Sequence, residues 1–262
     1  MTQFATQLII FGKRNVEDPD GVFGEVEQSG FASIEAGNIV TAYGGSEARR
    51  LVEQYNLTLS GLHDGCNGYD DPEQLASAIE FAKAYGVKNF LNSGIFGDNS
   101  VESYKASAKK FNEFGKQTAD EGITFHYHNH DFEFADLGDG VTGMDILINE
   151  TDPALVKLNL DVFWLYYAEQ DIAGYIRAHS DRTGYFHFKD GRIIRDEEGK
   201  KRPEFLELGQ GDVDLKTAYA TALEVGADWI VAEQDNTKRA PLESLTISHD
   251  YLATLAGDAI GE

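Results

Sequence analysis

Cysteine is all but missing. The 262-residue chain has one, Cys66, which excludes an intramolecular disulfide and any multi-cysteine metal site. Basic residues are scarce too: 22 Lys and Arg stand against 45 Asp and Glu, a formal charge of -23, and that field repels phosphate backbones and anionic lipid surfaces. Neither nucleic acid nor a membrane is an expected partner. Adaptation to high salt would account for the charge, but plain solubility is the simpler cause. Long apolar runs are lacking as well. The stretch from Met1 to Arg14 holds only Leu8 to Phe11, too brief for a signal-peptide core or a membrane span, so a cytoplasmic location is expected. No linker, repeat or low-complexity tract interrupts the chain, and no Gly-x-Gly-x-x-Gly turn follows its first strand-like run.

What is present is an ordinary soluble composition, 42% apolar and 26% charged, and a length that suits one large α/β domain or two small ones. Short β-branched and aromatic runs alternate with amphipathic stretches, the pattern of βα units around a parallel sheet. The candidate strands are Gln7–Phe11, Ser33–Ala36, Thr58–Leu62, Asn89–Asn92, Thr124–His128, Lys157–Asp161, Tyr185–Phe188 and Trp229–Ala232. Between them, Pro72–Tyr85, Ser100–Glu121 and Leu215–Val225 return apolar residues every three or four positions. Eight such units in a chain of this size predict one closed (β/α)8 TIM barrel over residues 1–262. The polar run from Asp190 to Pro203 is expected to be an inserted loop or solvated hairpin.

The run Ile123 to Phe134 places His126, His128 and His130 at alternate positions. Side chains alternate across a strand, so these histidines share one face while Phe125 and Tyr127 pack on the other. His126, one pleat deeper, is assigned to the barrel filling. Polar residues also end the other strands: Glu35, His63 with Asp64, Asn92 with Ser93, Asp161, His187 with Lys189 and Asp190, and Glu233 with Gln234 and Asp235. A barrel gathers such residues on its C-terminal rim. Four of them, His128, Asp161, His187 and Glu233, offer nitrogen and oxygen ligands suited to Mn²⁺, Co²⁺, Zn²⁺, Fe²⁺ or Mg²⁺. Without a cation, Asp161 and Glu233 in one pocket would repel.

The segments Tyr127 to Phe134, Leu160 to Trp164, His187 to Asp190, Leu208 to Asp214, Glu233 to Asp235 and Pro241 to Leu245, with Ser248 and Tyr251, resemble the xylose-isomerase-like TIM-barrel proteins, also called sugar phosphate isomerases/epimerases. The likeness spans almost the whole chain and is densest from residue 122 onward. It implies one divalent ion at the C-terminal mouth, held by one residue from each of the last four strands, typically Glu, Asp, His and Glu. Asp161, His187 and Glu233 match, but His128 stands where the first Glu is expected, with Glu133 as the other residue able to complete the set. In the epimerase members two metal-bound glutamates act as opposing acid/base groups, so this departure bears on the reaction itself.

The resemblance implies an isomerase or epimerase of a sugar or keto-sugar, working by proton transfer through a metal-stabilised enediolate. Glu233 and His130 are the expected proton-transfer groups, and Lys189 is expected to stabilise the developing negative oxygen. His63, Asn92, Glu35 and Trp164 are expected to bind substrate, with Phe163 and Tyr166 either beside Trp164 in an apolar wall or packing the helix. The alternatives are a metal-dependent dehydratase of a keto-inositol or keto-glycoside, and a non-catalytic sugar-binding barrel. No Gly-rich phosphate cradle is visible, and Arg192, Arg195, Lys200, Lys201 and Arg202 in the polar run are expected to be solvated rather than a lid over an anion. Members of this class are often dimers or tetramers, which leaves room for a homo-oligomer.

Overall fold

The computed structural model describes residues 2–37 and 39–260, side chains at 41 and 258–260 excepted. Eight parallel strands close into a barrel: β1 (Gln3–Gln7), β2 (Ser33–Ala36), β3 (Thr58–Gly65), β4 (Asn89–Ser93), β5 (Thr124–His128), β6 (Val156–Asp161), β7 (Thr183–Phe188) and β10 (Trp229–Ala232), with β1 pairing both β2 and β10. The remaining two strands, β8 (Asp190–Arg195) and β9 (Lys201–Leu206), form a separate antiparallel hairpin.

Seven of the eight expected strands coincide with barrel strands, and the first is displaced. Gln7–Phe11 was expected to be a strand, but β1 ends at Gln7 and Leu8–Phe11 is a 3₁₀ turn. Phe4 and Ala5 pair with Ile230 and Val231 of β10, while Leu8, Ile10 and Phe11 bury themselves against the helix layer. A short apolar run does not distinguish a strand from a buried turn.

Outside the barrel the local rules hold. The helix Pro72–Tyr85 begins on Asp71, whose carboxylate accepts from the amides of Glu73 and Gln74, and ends on Gly86 in the left-handed region, the usual asymmetry of helix ends. The helix Val101–Ala119 is capped by the Ser100 hydroxyl and lays Phe111 and Phe114 over Phe125 and Tyr127. Each such ring, removed from water, contributes roughly 1.5–3 kcal/mol. The outward parity of β5 is therefore fixed by packing, and its inward parity carries His126 and His128 into the barrel.

The hairpin is tied down at its root. The buried carboxylate of Asp190 accepts from the amides of Gly191, Gly209, Gly211 and Val213, at 2.8, 2.9, 2.9 and 3.3 Å. A Cβ on Gly211 would collide with that carboxylate, and one on Gly209, whose φ is +81°, with the Tyr251 ring. Glycine is required at both positions. The hairpin also brings Phe205 against Phe163 and Trp164, with ring centroids 5.2 and 5.8 Å apart.

Candidate metal centre

Strand register sets the site. His128 pairs with Asn159, two residues before Asp161, Asp161 pairs with His187, and the amide of Glu233 donates to the carbonyl of Phe188 at 2.9 Å, so the ends of β5, β6, β7 and β10 bring their last inward residues to one rim. His128, Asp161, His187 and Glu233 each present one ligand atom, and these atoms all lie within 4.8 Å of one another. All four side chains are buried.

Asp161 has two tasks. Its Oδ1 accepts from the amides of Phe163 and Trp164, capping the helix Val162–Tyr167, and its own amide donates to Asn129 Oδ1 at 3.0 Å. Its Oδ2 has no hydrogen-bond partner, and neither does Nδ1 of His128. Buried polar atoms are rarely left so. Tetrahedral ligands about 2.0–2.2 Å from a common ion lie about 3.3–3.6 Å apart, so donor atoms already within 4.8 Å of one another are near enough to close on one ion by side-chain adjustment. The residues present therefore fit a divalent ion.

The charges agree. Burial opposes protonation of His187, but Glu35 and Glu233, one carboxylate on each ring nitrogen, outweigh it and push the imidazole up to about 10. Burial likewise opposes ionisation of Glu233, yet Lys189 and His187 hold its carboxyl well below the ordinary range. Asp161 is raised to about 6 by burial despite the lysine beside it. His128 is held neutral by burial and by the positive His187. Lys189 is wholly buried with Nζ 3.0 Å from Asp235, 3.3 Å from Glu233 and 3.4 Å from Asp161. Those three carboxylates, Glu233 foremost, outweigh its burial and keep the ammonium charged.

The family described as the xylose isomerase-like TIM barrel matches residues 23–255. The chain belongs to that family. Among curated relatives of this xylose isomerase-like barrel, an inosose dehydratase of Lactiplantibacillus plantarum is 29% identical over 194 residues. The match covers 67% of this chain and 63% of that protein, so the chain aligns with less than two thirds of that relative's length. Among solved structures, a sugar phosphate isomerase/epimerase of Parabacteroides distasonis superposes with a TM-score of 0.78 at 19% identity, covering 96% of this chain and 93% of that one. A xylose isomerase-like TIM barrel protein of Mycobacterium smegmatis, solved in complex with magnesium, superposes with a TM-score of 0.72 at 17% identity, covering 97% and 96%.

The other expected site residues of this xylose isomerase-like barrel fall into three places. His130, past the end of β5, leans on His128 and Trp164 at centroid distances of 4.8 and 5.5 Å. Burial and then Lys189 depress it to about 4, so it stands neutral at physiological pH. Trp164 lies 5.1 Å from the Lys189 ammonium with a buried indole Nε1 that has no partner, a donor suited to a substrate hydroxyl. Phe163 is wholly buried between Trp164 and the hairpin.

Glu35 and His63 join each other rather than standing apart. His63 Nδ1 lies 2.8 Å from Glu35 Oε1, and Glu35 is wholly buried. Asn92 does not join the cluster. Its strand neighbour Leu91 faces the barrel interior with Ala5, Tyr185 and Val231, which turns Asn92 outward, where its Nδ2 meets Gly94 O and Cys66 Sγ. A one-residue change of parity separates that position from the mouth.

Glu133 also points away. It accepts from the Tyr127 hydroxyl at 2.7 Å and from the His130 amide at 2.8 Å, on the outward side of β5, and burial raises it to about 7. The structure thus groups His128, not Glu133, with the other three donors.

Two contributors, Tyr185 and Phe205, are absent from the expected set, and a third, Asp235, was expected on the rim without a role. Asp235 and Tyr185 lie two residues from Glu233 and His187, and period-two parity alone could have placed them on the same faces. Phe205 had no such signal, because its approach depends on how the hairpin folds back.

Proposed function

We propose that the chain is a divalent-metal-dependent enzyme that removes a proton from the carbon beside the carbonyl of a polyhydroxylated ketone, a keto-sugar or keto-inositol, and expels the hydroxyl one carbon further as water. One observation carries this reading: a four-donor centre in which a histidine, His128, joins Asp161, His187 and Glu233. When bound, the ion polarises a substrate carbonyl and makes the adjacent C–H acidic.

The residues around it divide the remaining work. Trp164 Nε1 and the neutral imidazole of His130 border the mouth on one side. The Lys189 ammonium, 3.3 Å from Glu233 Oε1, offers positive charge to the oxygen on which negative charge develops. His130 is unprotonated at neutral pH and packs against His128 of the four-donor centre, the place from which it takes the proton in this reading. Having taken the α proton, it hands that proton to the departing β-hydroxyl, so the C–H bond breaks, a C=C bond forms, the C–O bond breaks and water leaves. A single acid–base group serves both halves of an elimination. The name of the Lactiplantibacillus relative, inosose dehydratase, supports this outcome.

A second reading, isomerisation or epimerisation, shares the first step. It is favoured by Glu233 and His130 flanking one centre as two proton carriers, and by the name of the Parabacteroides neighbour. The two separate in one experiment. Metal-loaded protein is incubated in D₂O with a panel of keto-sugars and inososes, and ¹H NMR and ultraviolet absorbance are followed. Loss of water with a new enone or diketone band is the expected result; solvent deuterium entering an intact sugar selects isomerisation or epimerisation. Metal binding without exchange or turnover on any member of the panel overturns both and leaves a sugar-binding barrel.

A further inference from the structure

Glu35, at the end of β2, reaches across the barrel to the opposite wall. Its Oε2 lies 2.7 Å from His187 Nε2 and accepts the Tyr185 hydroxyl at 2.9 Å, while its Oε1 lies 2.8 Å from His63 Nδ1. Tyr185 and His187 alternate on β7, so the strand itself aims both donors at one carboxylate. The Glu35 side chain is shut off from solvent. An ionised carboxylate accepts and never donates, so Nε2 of His187 carries its hydrogen toward Glu35. The nitrogen left over is Nδ1, the one beside Glu233.

We propose that Glu35 is a positioning residue of the metal centre: by holding the Nε2 hydrogen of His187 it fixes the ring orientation and reserves Nδ1 as the ligand atom. The inference rests on the metal-dependent reading above. An imidazole whose second nitrogen donates to a carboxylate is a more basic and better oriented ligand, and removing such a partner weakens metal binding about 10- to 100-fold. The same carboxylate also accepts from His63 Nδ1. Glu35, His63 and His187 also lie at ligand spacing of their own. With three hydrogens already donated to Glu35, that trio acts as support for the first centre and not as a second one.

Co²⁺ binding by the parent and by Glu35→Gln, followed by visible absorbance and by competition with a chromophoric chelator, tests this. One ion per chain is expected in the parent, with binding weakened about 10- to 100-fold in a Glu35→Gln protein that keeps its circular dichroism. A folded Glu35→Gln with parental affinity and an unchanged cobalt spectrum overturns the inference while leaving the metal centre standing. So does a second ion per parent chain that Glu35→Gln alone loses. If the parent binds no Co²⁺, the metal-dependent reading fails and this one with it. The tautomer supplies a readout that needs no variant: ¹⁵N-histidine spectra of the Zn²⁺-loaded parent are expected to show His187 protonated on Nε2, and a proton on Nδ1 instead overturns the inference even if Glu35→Gln does not fold.

Discussion

The ammonium of Lys189 lies 3.4 Å from Oδ2 of Asp161, the one oxygen of that carboxylate not engaged in capping a helix. A built-in cation therefore shares the acidic centre with any bound ion, and the two respond to each other.

Replacing Lys189 by Met removes a buried charge from among three carboxylates. The metal-free protein is expected to lose stability by several kcal/mol, since breaking a buried pair leaves uncompensated charge, while divalent-ion binding tightens because the centre becomes more negative. Thermal unfolding with and without Mn²⁺ measures both. A variant whose melting temperature gains no more from the ion than the parent's contradicts the arrangement. Turnover in the loaded variant is expected to fall about 100-fold or more, the usual loss when an oxyanion partner is removed.

Metal uptake should expel a proton. With burial outweighed by Glu35 and Glu233, His187 is held up to about 10, so its ring is protonated on both nitrogens at pH 7 and must release one to become a ligand. Apparent affinity is expected to rise nearly tenfold per pH unit between about pH 6 and 8. Calorimetric titrations in buffers of different ionisation enthalpy count the proton directly. Binding enthalpies that do not change with the buffer would contradict it.

His126 makes the fold acid-sensitive. Burial depresses its imidazole to about 3, and Nε2 lies 3.0 Å from Asn89 Oδ1 inside the barrel. The unfolded chain takes up a proton near pH 6.5 that the folded chain refuses. The contribution of His126 is therefore intact above about pH 6.5 and is lost as pH falls toward 3, by up to about 1.4 kcal/mol per unit. Urea unfolding of the parent and of His126→Gln at pH 7, 6, 5 and 4 isolates it. The stability difference between the two is expected to shift in favour of His126→Gln as the solution is acidified, and a difference constant across that range removes the basis for the assignment.

Asp190→Ala is expected to cost about 3 kcal/mol or more, because four amides at the hairpin root lose one buried charged acceptor. Gly211→Ala should approach that loss through the same carboxylate. Denaturant midpoints measure both, and a change within about 0.5 kcal/mol, the range of surface substitutions, would show that the cradle is dispensable.

Much of this architecture is visible in the chain before it folds. Period-two parity identifies His126 as interior and Asp161, His187 and Glu233 as convergent, because a parallel barrel leaves each strand only two faces. The limits are equally physical. Leu8 to Phe11 has the apolar density of a strand but lies past the last paired residues of β1, Thr6 against β10 and Gln7 against β2. Asn92 sits near a strand end like the residues grouped at the mouth but on the other parity, which the burial of Leu91 in the barrel interior reveals. The choice between His128 and Glu133 turned on whether the chain after β5 folds back, and the hydroxyl of Tyr127 decides it by capturing Glu133. Long-range pairings are another matter: Glu35 and His187 meet across 152 positions and leave no local trace.

The hairpin rooted on Asp190 divides the labour between its two ends. Its base is locked by main-chain amides of its own first turn and of the loop that follows it, whereas its tip, the turn from Asp196 to Lys200, is closed by hydrogen bonds with its own and adjoining residues. Length and sequence at the tip are thus free to drift without moving Phe205 from Phe163 and Trp164. The two ends of one hairpin are thus under different constraints: the root and Phe205 are tied to neighbouring side chains and amides, while the exposed turn answers only to itself and the residues adjoining it and is the natural place for insertion or grafting.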